Sequence, residues 1–132
     1  MDKKYLTLEN LLDRKSKEDK ISFSEIDIDS LECSIKIAKI KTRKVIEILD
    51  KYDEDLEKPL GSYDMMSELI YKSVPILQKE DLKSNLNVPT PYEIVPELFN
   101  FSEMQKISEY ILEMHGLKDK ENNSIKEKIK NW

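Results

Sequence analysis

His115, Cys33 and a crowd of carboxylates are the side chains here that could do chemistry, and their spacing excludes most reactions. A lone histidine serves as a general base only beside a presented nucleophile, and no Gly-x-Ser-x-Gly turn is present. One histidine and one cysteine fall short of the donor set a zinc site requires. With Gly61 and Gly116 as the only glycines, no glycine-rich loop can bring backbone amides up to a phosphate. Asp50, Asp53, Glu54, Asp55 and Glu57 form the densest acidic cluster, but it lacks the turn glycine of an EF-hand loop. It reads as a solvated connector, and Asp27 and Asp29 read as turn residues. His115 closes a helical pattern, where histidine ordinarily meets the negative end of the helix. The expectation is a chain that is not an enzyme and has no cofactor or metal.

The bulk properties fit a binding protein. At 132 residues the chain has the length of one domain. Hydrophobic residues make up 39% and charged residues 37%, enough apolar side chains for a single core beneath a highly charged surface. The apolar runs are far shorter than the ~20 residues of a membrane span. The opening Met1–Leu8 stretch lacks the pattern of a signal peptide, so a cytosolic protein with no membrane partner is expected. A net charge of −5, with both signs interspersed, disfavours non-specific nucleic-acid binding. Cys33 sits in an alternating apolar pattern and is expected as a small buried hydrophobe.

Periodicity predicts the supporting elements. Leu8, Leu11 and Leu12 share a helical face with Thr7 placed to cap it, in a short helix ending near the charged run 14–20. Ile21, Phe23, Ile26 and Ile28, then Leu31, Cys33, Ile35 and Ile37, alternate as strands. A β-hairpin pairing 21–28 with 31–40 follows, with a slip near Ser24–Glu25 read as a bulge or strand end. From Thr42 the period turns helical, with Val45, Ile46, Leu49 and Tyr52 on one stripe. Pro59 and Gly61 lie in a connector, and Ser62 caps a helix that turns Met66, Leu69, Ile70 and Ser73 inward and stops before Pro75. A weaker helical turn spans 79–86. Thr90-Pro91-Tyr92-Glu93 is a capping box starting a helix with Ile94, Val95, Leu98 and Phe99 buried, against which Pro96 argues by removing one intrahelical bond. Asn100 and Glu103 form a second box, stapled by Phe99 and Met104. The helix it opens buries Met104, Ile107, Ile111 and Met114 and ends at Gly116, with Leu117 folding back. The predicted fold class is α+β, predominantly α: an N-terminal β-hairpin packed on a set of short amphipathic helices.

Residues 118–132 read as a flexible connector and a short C-terminal amphipathic helix, separate from the 1–117 domain. Ile125, Ile129 and Trp132 share its apolar face, capped by Ser124 and Glu127. A helix this short is marginal alone, so it either frays or docks on its own core or a partner, and folding should not depend on it. Tryptophan is enriched at interface hot spots, which makes these three residues candidate partner contacts. Tyr71, Tyr92 and Tyr110 are the further candidates, because tyrosine suits half-buried, partner-facing positions.

Three blocks of the chain carry a resemblance: 8–12 (Leu-Glu-Asn-Leu-Leu), 45–50 (Val-Ile-Glu-Ile-Leu-Asp) and the stretch from Glu68 to Leu117. Within the last, Glu68-Leu69-Ile70-Tyr71, Pro75-Ile76-Leu77, Pro91-Tyr92-Glu93-Ile94-Val95 and Tyr110-Ile111-Leu112-Glu113-Met114-His115-Gly116-Leu117 are the most specific. They resemble the XkdN-like tail assembly chaperones of PBSX-type phages and phage-tail-like bacteriocins. These are packing and capping residues, so the resemblance implies a fold and no catalytic role. It implies a helper in the host bacterial cytoplasm that coats an aggregation-prone tape measure protein until tube subunits polymerise around it. It further implies contact with the tail tube protein, self-association, absence from the finished particle and, in some members, a longer frameshifted form. Two other classes stand beside it: a minor virion tail component or adaptor, and a small nucleic-acid-binding phage regulator. The regulator would need a basic recognition helix, and only the 118–130 stretch is remotely basic.

Overall fold

The computed structural model describes residues 4–18 and 22–117. Its period-two segment forms a two-stranded antiparallel sheet, β1 (Phe23–Ile28) with β2 (Cys33–Ala38), joined by a 3-10 turn at Asp29–Leu31. The register pairs Ser24 with Ile37, Ile26 with Ile35 and Ile28 with Cys33 on the helix-facing side. Phe23, Glu25 and Asp27 face out against Ala38, Lys36 and Ser34. The expected slip therefore disappears: the pairing runs without a bulge because Ser24, not Phe23, belongs to the inward set. Cys33 is also corrected, since it is exposed at the hairpin end. Ile21 lies outside the described residues, and the second strand stops two residues short of Ile40.

Six helices follow or precede the hairpin among the described residues, making the fold α+β with helix predominant. They are α1 (Leu8–Glu18), α2 (Thr42–Tyr52), α3 (Pro59–Ser73), α4 (Glu80–Leu86), α5 (Ile94–Leu98) and α6 (Phe101–Met114). α3 is the central element, in contact with α2, α5, α6 and the turn before α5. Met65, Met66, Leu69 and Ile70 are fully buried on it, with Gly61, Ser62, Ser67 and Ser73 filling its remaining faces. A helix buried nearly all round needs such small residues to let neighbours approach. α6 packs along α3 through Met104, Ile107, Ile111 and Leu112, and the hairpin lays Ile26, Ile28, Ile35 and Ile37 into the same core.

Local signals account for most boundaries. Asn100 Oδ1 accepts from the Glu103 amide at 2.9 Å, and Glu103 Oε1 accepts from the Asn100 amide at 2.8 Å, a reciprocal box at the start of α6. At its end Gly116 takes φ +68°. The Leu117 amide reaches back to the Leu112 carbonyl at 2.9 Å and the Gly116 amide to Glu113 at 3.0 Å, as in a Schellman motif.

Other expectations need correcting. Ile48 replaces Ile46 on the buried stripe of α2, and Ile46 faces solvent. α3 starts at Pro59 with Lys58 as its cap, so Gly61 and Ser62 lie inside the helix and not before it. Leu56, in the middle of the acidic connector, is fully buried and anchors the turn beneath α3. Pro91–Glu93 forms a 3-10 turn, and α5 lasts five residues with Leu98 exposed. Pro96 cannot donate to the Tyr92 carbonyl four residues back, so Pro91–Glu93 does not join α5 as one continuous α-helix.

Candidate partner-binding groove

Glu68 is buried on α3, its side chain 3% exposed, where an unpaired carboxylate would be costly. It is fully engaged instead. Lys51 Nζ donates to its Oε1 at 2.7 Å, Tyr52 OH to the same oxygen at 3.0 Å, and Lys72 Nζ to its Oε2 at 3.3 Å. Burial pushes the carboxyl up, but these donors outweigh it and hold it below the ordinary carboxylate value. The hydrogen bond to Glu68 raises the Lys51 ammonium, and burial first, then Glu68, raises the Tyr52 phenol.

This cluster fixes the aromatic wall beside it. The ammonium groups of Lys51 and Lys72 lie 6.0 and 5.8 Å from the Tyr92 ring centroid, and Tyr71 meets that ring edge-on at 5.6 Å and 70°. Tyr92 in turn lines a groove of about 560 Å³. Its floor is one face of α3: Leu60, Tyr63, Asp64 and Ser67 recur at the i, i+3, i+4, i+7 spacing. Val88, Pro89, Thr90, Tyr92 and Pro96, from the segment that leads into and through α5, line it together with Tyr52, and Glu93 and Glu97 add acidic groups. Leu60 is 70% exposed, and Tyr63 stacks on Phe101 at 6.3 Å, extending the apolar surface to the start of α6. Glu93 also reaches back to the Thr90 amide at 3.0 Å, which fixes the turn carrying Tyr92.

Of the sequence-predicted contact residues, the structure brings Tyr71 and Tyr92 together and separates Tyr110 from them. Tyr110 lies on the second half of α6 and shares a hydrogen bond with the Ser24 hydroxyl, so it fastens the hairpin to the helices. Ile125, Ile129 and Trp132 lie outside the described residues. Leu60, Tyr63 and Pro96 line the groove and were not among the expected contacts. Their signal was present in the i, i+3 pairing of Leu60 and Tyr63, but it was hidden while Pro59–Gly61 read as a connector.

His115 departs from its expected role at the end of α6. Its Nδ1 pairs with the Thr42 hydroxyl at 2.9 Å, and burial, then the Lys39 charge, push the imidazole below its ordinary value. A group held towards neutrality does not act as the cation of a helix end.

No group of three or more His, Cys, Asp or Glu among the described residues is arranged to hold a metal ion. No helix among them is long and apolar enough to cross a membrane. No family model, curated protein or solved structure matches the chain.

Proposed function

We propose that the chain is a cytoplasmic tail assembly chaperone that holds amphipathic segments of a tape measure protein until tube subunits replace it. The reading starts from the three blocks that resemble XkdN-like proteins, and the groove is the structural observation that supports it. Its floor is a helix face, and the segment that lines it with that face carries Tyr92 and two prolines, a shape suited to the apolar stripe of a guest helix. Asp64 and Glu97 favour guests with basic flanks. A tape measure protein offers many such segments, so individually weak contacts multiply along it. The chain works by binding, without turnover, and leaves before the tail matures.

Co-expression is the test. The tape measure protein should stay soluble with this chain and aggregate without it, and deleting the gene should leave tails absent or malformed. A tape measure protein equally soluble alone would reject the reading. Stoichiometric presence of the chain in mature tails would replace it with a virion component.

A further inference from the structure

The groove on α3 has the dimensions of a short helix. Leu60, Tyr63, Asp64 and Ser67 present one face at the i, i+3, i+4, i+7 spacing, roughly 10 Å along the axis. The chain itself contains a segment of the same measure, outside the described residues. Ile125, Ile129 and Trp132, at i, i+4 and i+7, make an apolar stripe that as a helix also spans roughly 10 Å. Lys126 and Lys128 border that stripe on its two sides, and Glu127 falls opposite. The groove offers the reverse charge in Asp64, Glu93 and Glu97.

The span between segment and groove also fits. Tyr63 stacks on Phe101, so the groove lies at the start of α6, and the segment follows its end. α6 is 14 residues long, about 21 Å. At its end Gly116, with φ +68°, and the Leu117 amide, bonded to the Leu112 carbonyl, turn the chain back, and Leu117 packs against the core. Residues 118–124 reach at most about 23–25 Å when extended. That length returns the chain along α6 and sets Ile125 at the groove with little to spare.

We infer that the groove receives residues 125–132 of its own chain, seated by Ile125, Ile129 and Trp132 with the lysines towards the acidic groups. A stripe this short is marginal as an isolated helix, and the groove supplies the apolar cover it lacks. Because the connector tethers the segment, a weak intrinsic affinity is enough to hold it. The docking stands whatever the guest is; its consequence, that a guest helix must first displace the segment, rests on the proposed function.

Trp132 is the only tryptophan, so its fluorescence reports on this segment alone. In the purified full chain its emission should be blue-shifted, and its quenching by acrylamide several-fold weaker, relative to a peptide of residues 118–132. Both should hold on dilution, as contact within one chain requires. Leu60→Asp with Asp64→Lys should return emission and quenching to the peptide's values. Ile76→Asp, at an exposed apolar position outside the groove, should leave them unchanged. All three positions are exposed, so both variants should keep the wild-type circular dichroism. A tryptophan as exposed as in the peptide, protection that survives the groove variant, protection lost in the Ile76 variant, or protection lost on dilution would each overturn the inference. No guest enters these measurements, so their failure is distinct from failure of the co-expression test.

Discussion

The buried Glu68 carboxylate takes its shortest hydrogen bond from the Lys51 ammonium, 2.7 Å away across the α2–α3 contact, and the two side chains are 3% and 57% exposed. That asymmetry decides what each contributes. Lys51 can return to water when its partner is lost, whereas Glu68 is committed to the interior and is also the acceptor for Tyr52.

Glu68→Ala should therefore cost about 1–3 kcal/mol, because it deletes three hydrogen bonds at once and leaves the half-buried Tyr52 hydroxyl without its acceptor. Lys51→Ala should cost about 1 kcal/mol or less, because its bond is solvent-screened and Tyr52 and Lys72 still serve Glu68. Urea denaturation of the two variants checks the order. Equal losses would show that the lysine, not the carboxylate, holds α2 to α3.

The pH dependence follows from the same groups. Glu68 lies below its ordinary value of 4.5, with burial opposed and outweighed by its donors, and His115 lies below 6.5 through burial and Lys39. A group depressed in the fold adds stability above its unfolded pKa and loses it as pH falls through the folded one. Stability should be flat from pH 6.5 to about 10, decline below 6.5 as His115 charges, fall again below pH 4.5, and decline above pH 10, where the raised Tyr52 and Lys51 begin to lose protons in the unfolded chain. Glu68→Gln should shrink the lower limb without abolishing it, because the Ser30 hydroxyl and the Asn100 amide also hold Glu103 below its ordinary value, and should leave the His115 limb in place. Denaturation midpoints measured through this window test each limb.

Gly61 and Gly116 are required for different reasons. A Cβ on Gly61 would lie 2.2 Å from the Asp55 carbonyl oxygen and 2.7 Å from its carbon, a clash with backbone. Gly61→Ala should cost about 1–3 kcal/mol through overpacking, despite alanine's better helix propensity, and should loosen the turn that buries Leu56. At Gly116 no described residue lies within 4 Å of an added Cβ, but φ is +68°. There Ala should cost about 1 kcal/mol through backbone strain alone, and Asn should cost less. Thermal melts of the three variants separate crowding from strain.

How much of this was legible in the sequence depends on how local each signal is. The Asn100–Glu103 box, the Gly116 ending and the switch of period at Thr42 act within a few residues and were read correctly. Errors arose where the partner is distant. Ile46 and Ile48 both suit a stripe beginning at Val45, and only the position of α3 selects Ile48. Ser24 joins the inward face because Tyr110 meets it, a contact 86 residues away in sequence. Cys33 is exposed because the cover ends before the hairpin tip, which alternation alone cannot reveal. The groove combined both cases: Tyr92, singled out by residue type, lines it, while the places of Leu60 and Tyr63 depend on where α3 begins.

Three serines in the helical core oppose the general rule that buried hydroxyls are paired. Ser62, Ser73 and Ser108 have no hydrogen-bond partner for their hydroxyls among the described residues. Alanine removes the unpaired group, favours the helix and keeps the small volume. Each Ser→Ala substitution should raise stability by about 0.5–1 kcal/mol, read as a higher melting temperature. A loss of stability would mean that the hydroxyl has a partner, such as a bound water.

The groove and the hairpin contact should respond oppositely to mutation. Leu60 contributes little to the fold at 70% exposure, so Leu60→Ala should change stability by no more than about 0.5 kcal/mol while weakening capture of an amphipathic guest helix. Tyr92→Ala removes the aromatic wall and the edge contact with Tyr71, so it should reduce both stability and capture. Tyr110→Phe deletes the hydroxyl that meets Ser24, costing about 1 kcal/mol, and should leave capture unchanged because Tyr110 lies apart from the groove. Denaturation paired with a binding titration, using a basic-flanked amphipathic peptide, distinguishes the three. Full capture by the Leu60 and Tyr92 variants, with loss in the Tyr110 variant, would move the binding site to the hairpin side of α6.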